Sequence, residues 1–177
     1  MKKYQKATLN TNIKLDWELS WYLYGQVGVG KTHNAYAFVM ERNTFLRKQQ
    51  EIDELNNKFF IYPYFTFLSW ADICDKLRNA PMEADIFTED TRRDIEHKVI
   101  NKERLIIDDI GSEKRSDYTD DFLMRLVEHR YSNEKYTGFT SNHSLADLGY
   151  DKRIISRIAG MVGTNKFELK GKDWRIK

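Results

Sequence analysis

Residues 25–32, Gly25-Gln26-Val27-Gly28-Val29-Gly30-Lys31-Thr32, place three glycines in six positions and follow them with a lysine and a hydroxyl. This is the pattern GxxxxGK[ST], met at every required position. Glycines let the backbone curl so that successive N–H groups point inward and make a nest for phosphate oxygens. Such a loop works between a strand, which delivers it to a sheet edge, and a helix, whose first N–H groups and dipole favour an anion. Both flanks are present. Trp21–Tyr24 is an apolar run of strand length, and Ala35, Phe38 and Val39 fall on one face at helical spacing. Lys31 is then placed to reach the β- and γ-phosphates of ATP, and the Thr32 hydroxyl to ligate magnesium. The candidate nucleotide-binding residues are Gly25, Gln26, Val27, Gly28, Val29, Gly30, Lys31, Thr32 and His33.

The rest of the chain alternates short apolar runs with amphipathic stretches, which predicts an α/β fold with a mainly parallel sheet. Expected strands are Trp21–Tyr24, Phe59–Phe65, Leu105–Ile107, Gly138–Thr140 and Lys166–Leu169. Phe122, Leu123, Leu126 and Val127 form a second helical stripe, with Asp120 or Asp121 as its N-cap, and Ile154, Ile155, Ile158 and Ala159 form a third. Pro63 cannot donate to a ladder, which puts the second strand at an edge. Between it and Leu105 the spacing predicts two helices, roughly Ser69–Arg78 and Thr88–Val99, broken at Pro81. That is long for a plain crossover and reads as an inserted helical pair over residues 68–100.

Leu105-Ile106-Ile107-Asp108-Asp109 is a buried strand ending in acids, which delivers them to the carboxyl edge where ligands bind in open α/β sheets. Asp108 is the candidate magnesium carboxylate and Asp109 the group that polarises an attacking water; alternatively, the two acids simply cap a turn. Phe139-Thr140-Ser141-Asn142 is another strand ending in a polar residue. Asn142 would sense the γ-phosphate if this strand neighbours the first, and would otherwise be a helix N-cap. Arg153 and Arg157, four apart, share the helix side opposite the isoleucines. That suits a solvated face, and equally an arginine entering a neighbouring subunit's site, where such a charge is worth ~10³–10⁵ in rate.

With these elements in order, the chain resembles the AAA+ ATPases of the DnaC/IstB type, the replicative helicase loaders and transposition helpers. The similarity runs from about Leu19 to Arg175. It rests on Leu105 to Lys114 as the Walker-B region, Phe139 to Asn142 as sensor 1, and Arg153 to Arg157 as an arginine-containing box shared with the initiator DnaA. The resemblance implies a five-stranded sheet of order 5-1-4-3-2, a trans-acting Arg157, ATP-governed self-association and contact with single-stranded DNA. A replicative helicase or a transposase would be the protein partner. It also implies one AAA+ core over residues 1–177 with a short extension over residues 1–18. About twenty residues precede the first strand, fewer than the gripping domain of loaders needs, and few follow the last, so neither that domain nor a helical lid with a sensor-2 arginine is expected.

Composition narrows the alternatives. The 29 Lys and Arg against 27 Asp and Glu leave a net charge of +2, which excludes an overwhelmingly basic nucleic-acid coat but not a local patch. Lys76, Arg78, Arg92, Arg93 and Lys98 in the helical pair are the candidate nucleic-acid contacts. The aromatic run Tyr62, Tyr64, Phe65, Phe67 and Trp70 reads as edge strand and core, with base stacking as its other use. The single cysteine, Cys74, fits a buried apolar position in a reducing compartment. No apolar run reaches a membrane span, and the N-terminus lacks a signal-peptide core, so a cytoplasmic protein is expected. Two rival functions remain: a nucleotide-gated interaction module with negligible turnover, and a small P-loop kinase.

Overall fold

The computed structural model describes residues 15–58, 60–82 and 90–173. Along the chain the elements are β1 (Trp21–Tyr24), α1 (Lys31–Leu55), β2 (Phe65–Ser69), α2 (Trp70–Asn79), α3 (Arg92–Ile100), β3 (Arg104–Asp108), α4 (Asp117–Ser132), β4 (Thr137–Ser141), a 3-10 turn over Leu145–Asp147, α5 (Lys152–Val162) and β5 (Lys166–Glu168). The five strands run parallel in the order β2-β3-β4-β1-β5. This is the expected 5-1-4-3-2 sheet.

Side chains alternate faces along a strand, and both faces of this sheet are buried. Trp21, Leu23 and Ile106 pack on the α1 side with Ala35, Phe38, Val39 and Leu46. Tyr22, Leu105, Ile107 and Phe139 pack on the other, beneath α2, α3, α4 and α5. Leu123, Leu126, Ile154 and Ile158 there are the stripe residues read from the sequence. The three layers put the carboxyl ends of β1, β3 and β4 side by side. Tyr24 stands in register with Ser141, and Ile107 with Phe139.

Three expectations need correction. The second strand is Phe65–Ser69, not Phe59–Phe65. The preceding aromatics turn back along α1, where the Tyr62 hydroxyl donates to Asp53 at 2.5 Å and the Tyr64 hydroxyl to Gln50 at 3.2 Å. Pro63 therefore lies outside the ladder, and β2 is the edge for topological reasons rather than because of proline. The α4 helix starts at Asp117, capped by Ser116 in a reciprocal box with Thr119, so Asp120 and Asp121 sit inside it. For the helical pair, Ser69 caps α2 and Thr91 caps α3. The predicted start at Thr88, like Phe59 and most of the N-terminal extension, lies outside the described residues.

Candidate nucleotide site

The loop between β1 and α1 has the backbone its glycines permit. Gly28 and Gly30 adopt φ of 82° and 98°, the left-handed region that other residues rarely enter. Gly30 then caps α1 without any side-chain hydrogen bond, so the first turn of the helix opens directly from the loop. The chain after β5 returns across this loop. A Cβ on Gly28 would stand 1.9 Å from the Asp173 carboxyl group, so the loop and this segment are in close contact.

Lys31 is 6% exposed, which makes its ammonium the buried charge at the centre of the site. It donates to the carbonyls of Gly25 (2.9 Å) and Gln26 (2.8 Å) and to Asn142 Oδ1 (2.8 Å). Asn142 Nδ2 in turn donates to Asp109 Oδ1 at 2.9 Å. Three residues spread over 111 positions of the chain thus form one continuous polar line.

A second line runs beside it. The Thr140 hydroxyl donates to Asp108 Oδ1 at 2.6 Å and accepts the Asp109 N–H at 2.9 Å. The Thr32 hydroxyl also hydrogen-bonds Asp108. Burial holds the Asp108 carboxyl above the ordinary aspartate range, opposed by the hydrogen bonds from Thr140 and Thr32. Asp109 turns into the left-handed region at φ 59°, a conformation costing about 1–3 kcal/mol for a non-glycine residue. That turn separates the two acids: Asp108 faces Thr32, and Asp109 faces Asn142.

The Thr32–Asp108 pair suits magnesium, a hard cation that keeps several waters and shares its ligands with phosphate. One carboxylate and one hydroxyl stand together at the mouth of the loop. Among the described residues no group of three or more His, Cys, Asp or Glu forms a self-sufficient metal cage.

The structure thus brings Lys31, Thr32, Asp108, Asp109 and Asn142 together. Thr140 was not foreseen as a functional residue. Its signal is faint, a hydroxyl one strand over from the acids, and only register gives it meaning. His33 lies half-buried in the first turn of α1. Arg157 is on α5 and engages α4 rather than pointing freely outward: its Nε donates to Glu128 at 2.5 Å and its guanidinium lies over Tyr131.

The candidate nucleic-acid contacts divide. Arg92 donates to the carbonyls of Ala80 (3.0 Å) and Arg78 (3.3 Å) and covers the Tyr118 ring. Arg78 bonds Asp75 and the Lys114 carbonyl. Arg92 thus ties α3 to the end of α2, and Arg78 ties α2 to the loop after β3. Lys98 pairs with Asp90 at 2.5 Å, while Lys76 and Arg93 are exposed. A groove of about 940 Å³ between α2, α3 and β2 is lined by Lys76, Lys98 and Lys102.

Sheet order and site together give the fold of AAA+ P-loop domains. Within that class the chain is similar to replication proteins of the DnaC and DnaA kind, the resemblance its motifs carry. It is 26% identical over 144 residues to the chromosomal replication initiator protein DnaA of Mesoplasma florum, a match that covers 81% of this chain and 28% of that protein's length. The solved DnaC helicase loader superposes with a TM-score of 0.63 at 22% identity, covering 96% of this chain and all of that one. Replication initiator DnaA bound to AMPPCP and single-stranded DNA superposes with a TM-score of 0.60 at 19% identity, covering 88% of this chain and 41% of that one. No protein-family model matches the chain. Among the described residues no helix is long and apolar enough to cross a membrane.

Proposed function

We propose that this chain binds Mg-ATP, hydrolyses it to ADP, and acts as a helicase-loader-like or transposition-helper-like protein that assembles on single-stranded DNA. The observation that carries the reading is the line Lys31–Asn142–Asp109, which ties the phosphate loop to the acid at the end of β3. A γ-phosphate seated on Lys31 would meet Asn142 and Asp109 in one geometry. Asp109 then accepts the proton of the attacking water while Asn142 fixes the water or the phosphate. Magnesium held by Thr32 and Asp108 would neutralise charge on the phosphates. Arg157 of a second copy supplies the remaining positive charge, which makes turnover depend on self-association. The initiator DnaA solved with AMPPCP and single-stranded DNA supports both ligands as classes.

Lys31→Ala tests the site. Calorimetry should show loss of tight ATP binding, and phosphate release should fall to background. Unchanged affinity together with unchanged turnover would remove the site from Lys31. A second reading, the nucleotide-gated interaction module, draws on Asp109, whose side chain is one methylene shorter than the glutamate many ATPases use. Tight ATP binding by the parent protein with no phosphate release, with or without single-stranded DNA, would favour it.

A further inference from the structure

Arg153 and Arg157 stand one turn apart on α5, yet their surroundings differ. The Nε and Nη2 of Arg153 donate to the two carboxylate oxygens of Asp151, at 3.1 and 3.3 Å, and Asp151 is the residue that caps the helix. Its guanidinium is committed to the start of its own helix. Arg157 donates through Nε alone, 2.5 Å to Glu128 on α4. The Tyr131 ring, one turn further along α4, supports the face of the same guanidinium with its centroid 5.2 Å away. Among the described residues no hydrogen bond leaves either η nitrogen of Arg157.

Gly160 explains how the ring gets there. A Cβ at this position would stand 2.7 Å from the edge of Tyr131, too close for the ring to lie against α5. A glycine inside a helix costs about 1 kcal/mol relative to alanine. Here it makes room for the aromatic surface under Arg157.

The Arg157–Glu128 pair is 38% and 46% exposed, and ion pairs so open to water add little to stability. What the arrangement supplies is direction. Glu128 holds the back edge of the guanidinium and Tyr131 one face, which leaves the two η nitrogens as a free fork. A planar fork with both outer nitrogens available is the geometry that grips a phosphate.

The geometry points to Glu128 and Tyr131 as positioning residues that aim Arg157 at the γ-phosphate of nucleotide bound to a neighbouring copy. This rests on the reading of Arg157 as a trans-acting residue. It adds which side chains orient it and why Arg157, rather than Arg153, is the one presented.

The test is steady-state ATP hydrolysis measured against protein concentration, with sedimentation of the same samples to follow assembly. Glu128→Ala and Tyr131→Leu should each lower kcat at saturating protein by about tenfold, as misorientation of a reacting group does. The KM for ATP and the sedimentation profile should stay at parent values. Tyr131→Phe, which keeps the ring, should rescue the rate lost in Tyr131→Leu. In an Arg157→Ala background neither substitution should lower the rate further. Parent-like kcat in both single variants, with Arg157→Ala slow, overturns the positioning role and leaves the trans-acting arginine standing. Parent-like kcat in Arg157→Ala itself overturns both. A rate lost only in step with assembly assigns the two residues a structural part and also overturns the proposal.

Discussion

Asp108 and Asp109 are adjacent in the chain and differ in everything around them. Asp108 is buried between the hydroxyls of Thr32 and Thr140, while Asp109 sits past the left-handed turn with its carboxylate on Asn142. Asp109→Asn should therefore leave Mg-ATP bound and slow hydrolysis by two orders of magnitude or more, the ~10²–10⁴ typical of general-base loss. Asp108→Asn should instead weaken the magnesium-dependent part of ATP affinity. Titration calorimetry with and without magnesium, beside phosphate release, separates the two; parent-rate hydrolysis by Asp109→Asn would reverse the assignment. At this scale much of the candidate site was legible, because the loop and the acid pair are contiguous motifs whose chemistry needs neighbouring residues. Thr140 was not. Its value comes from sitting one strand away from Asp108, and sequence gives no register between strands that are thirty residues apart. The same holds for Glu128 and Tyr131, which meet Arg157 only once α4 and α5 pack.

Elements were legible where a period or a cap is local, and misplaced where tertiary contacts outweigh propensity. The aromatics before Phe65 have strand chemistry, but Tyr62 and Tyr64 find hydroxyl partners on the overhanging end of α1, and the strand begins only at Phe65. Another long-range tie, centred on Arg130, sets the opposite end of the sheet from the site. This side chain is fully buried in α4, and among the described residues none of its hydrogen bonds goes to a carboxylate. It donates to the Thr137 hydroxyl (2.7 Å) and to the carbonyls of Lys102 (2.5 Å), Glu103 (3.2 Å) and Tyr136 (2.6 Å). Burial pulls its guanidinium down to about 10, still charged at neutral pH. The charge is dispersed over backbone oxygens at the entries to β3 and β4, which are the strands carrying Asp108 and Asn142. Arg130→Met keeps most of the apolar stem and takes the donor from the Lys102 and Glu103 carbonyls and from the Thr137 hydroxyl, while the Tyr136 carbonyl keeps the Leu105 N–H, at roughly 1–3 kcal/mol for each group left buried and unsatisfied. Urea unfolding should show a loss of about 3 kcal/mol or more; a loss below about 1 kcal/mol would mean that water replaces the guanidinium.

The molecule as a whole carries a net charge of only +2, so one copy offers a nucleic acid little general attraction. Its available cations are local. Arg92 is engaged in joining α3 to α2, Arg78 in joining α2 to the loop after β3 and Lys98 with Asp90, which leaves Lys76 and Arg93 exposed and Lys102 along the groove beside β2. Weak sites of this kind act strongly only when several copies align them on one strand, because linkage raises effective affinity without new contacts. If ATP drives assembly through Arg157, single-stranded DNA should bind better to the ATP-analogue form than to the ADP form. Affinity should fall with salt at a log–log slope of about −0.7 for each phosphate neutralised. Lys76→Ala combined with Arg93→Ala should flatten that slope and weaken binding alike for all sequences, since phosphate contacts carry no base information. Arg78→Ala would instead release the loop after β3 from α2 and show itself first in thermal stability. Anisotropy of a labelled oligonucleotide at two salt concentrations, with each nucleotide in turn, reads all of these. Equal and negligible binding in both nucleotide states would remove DNA as the ligand and leave the ATP-dependent surface to a protein partner.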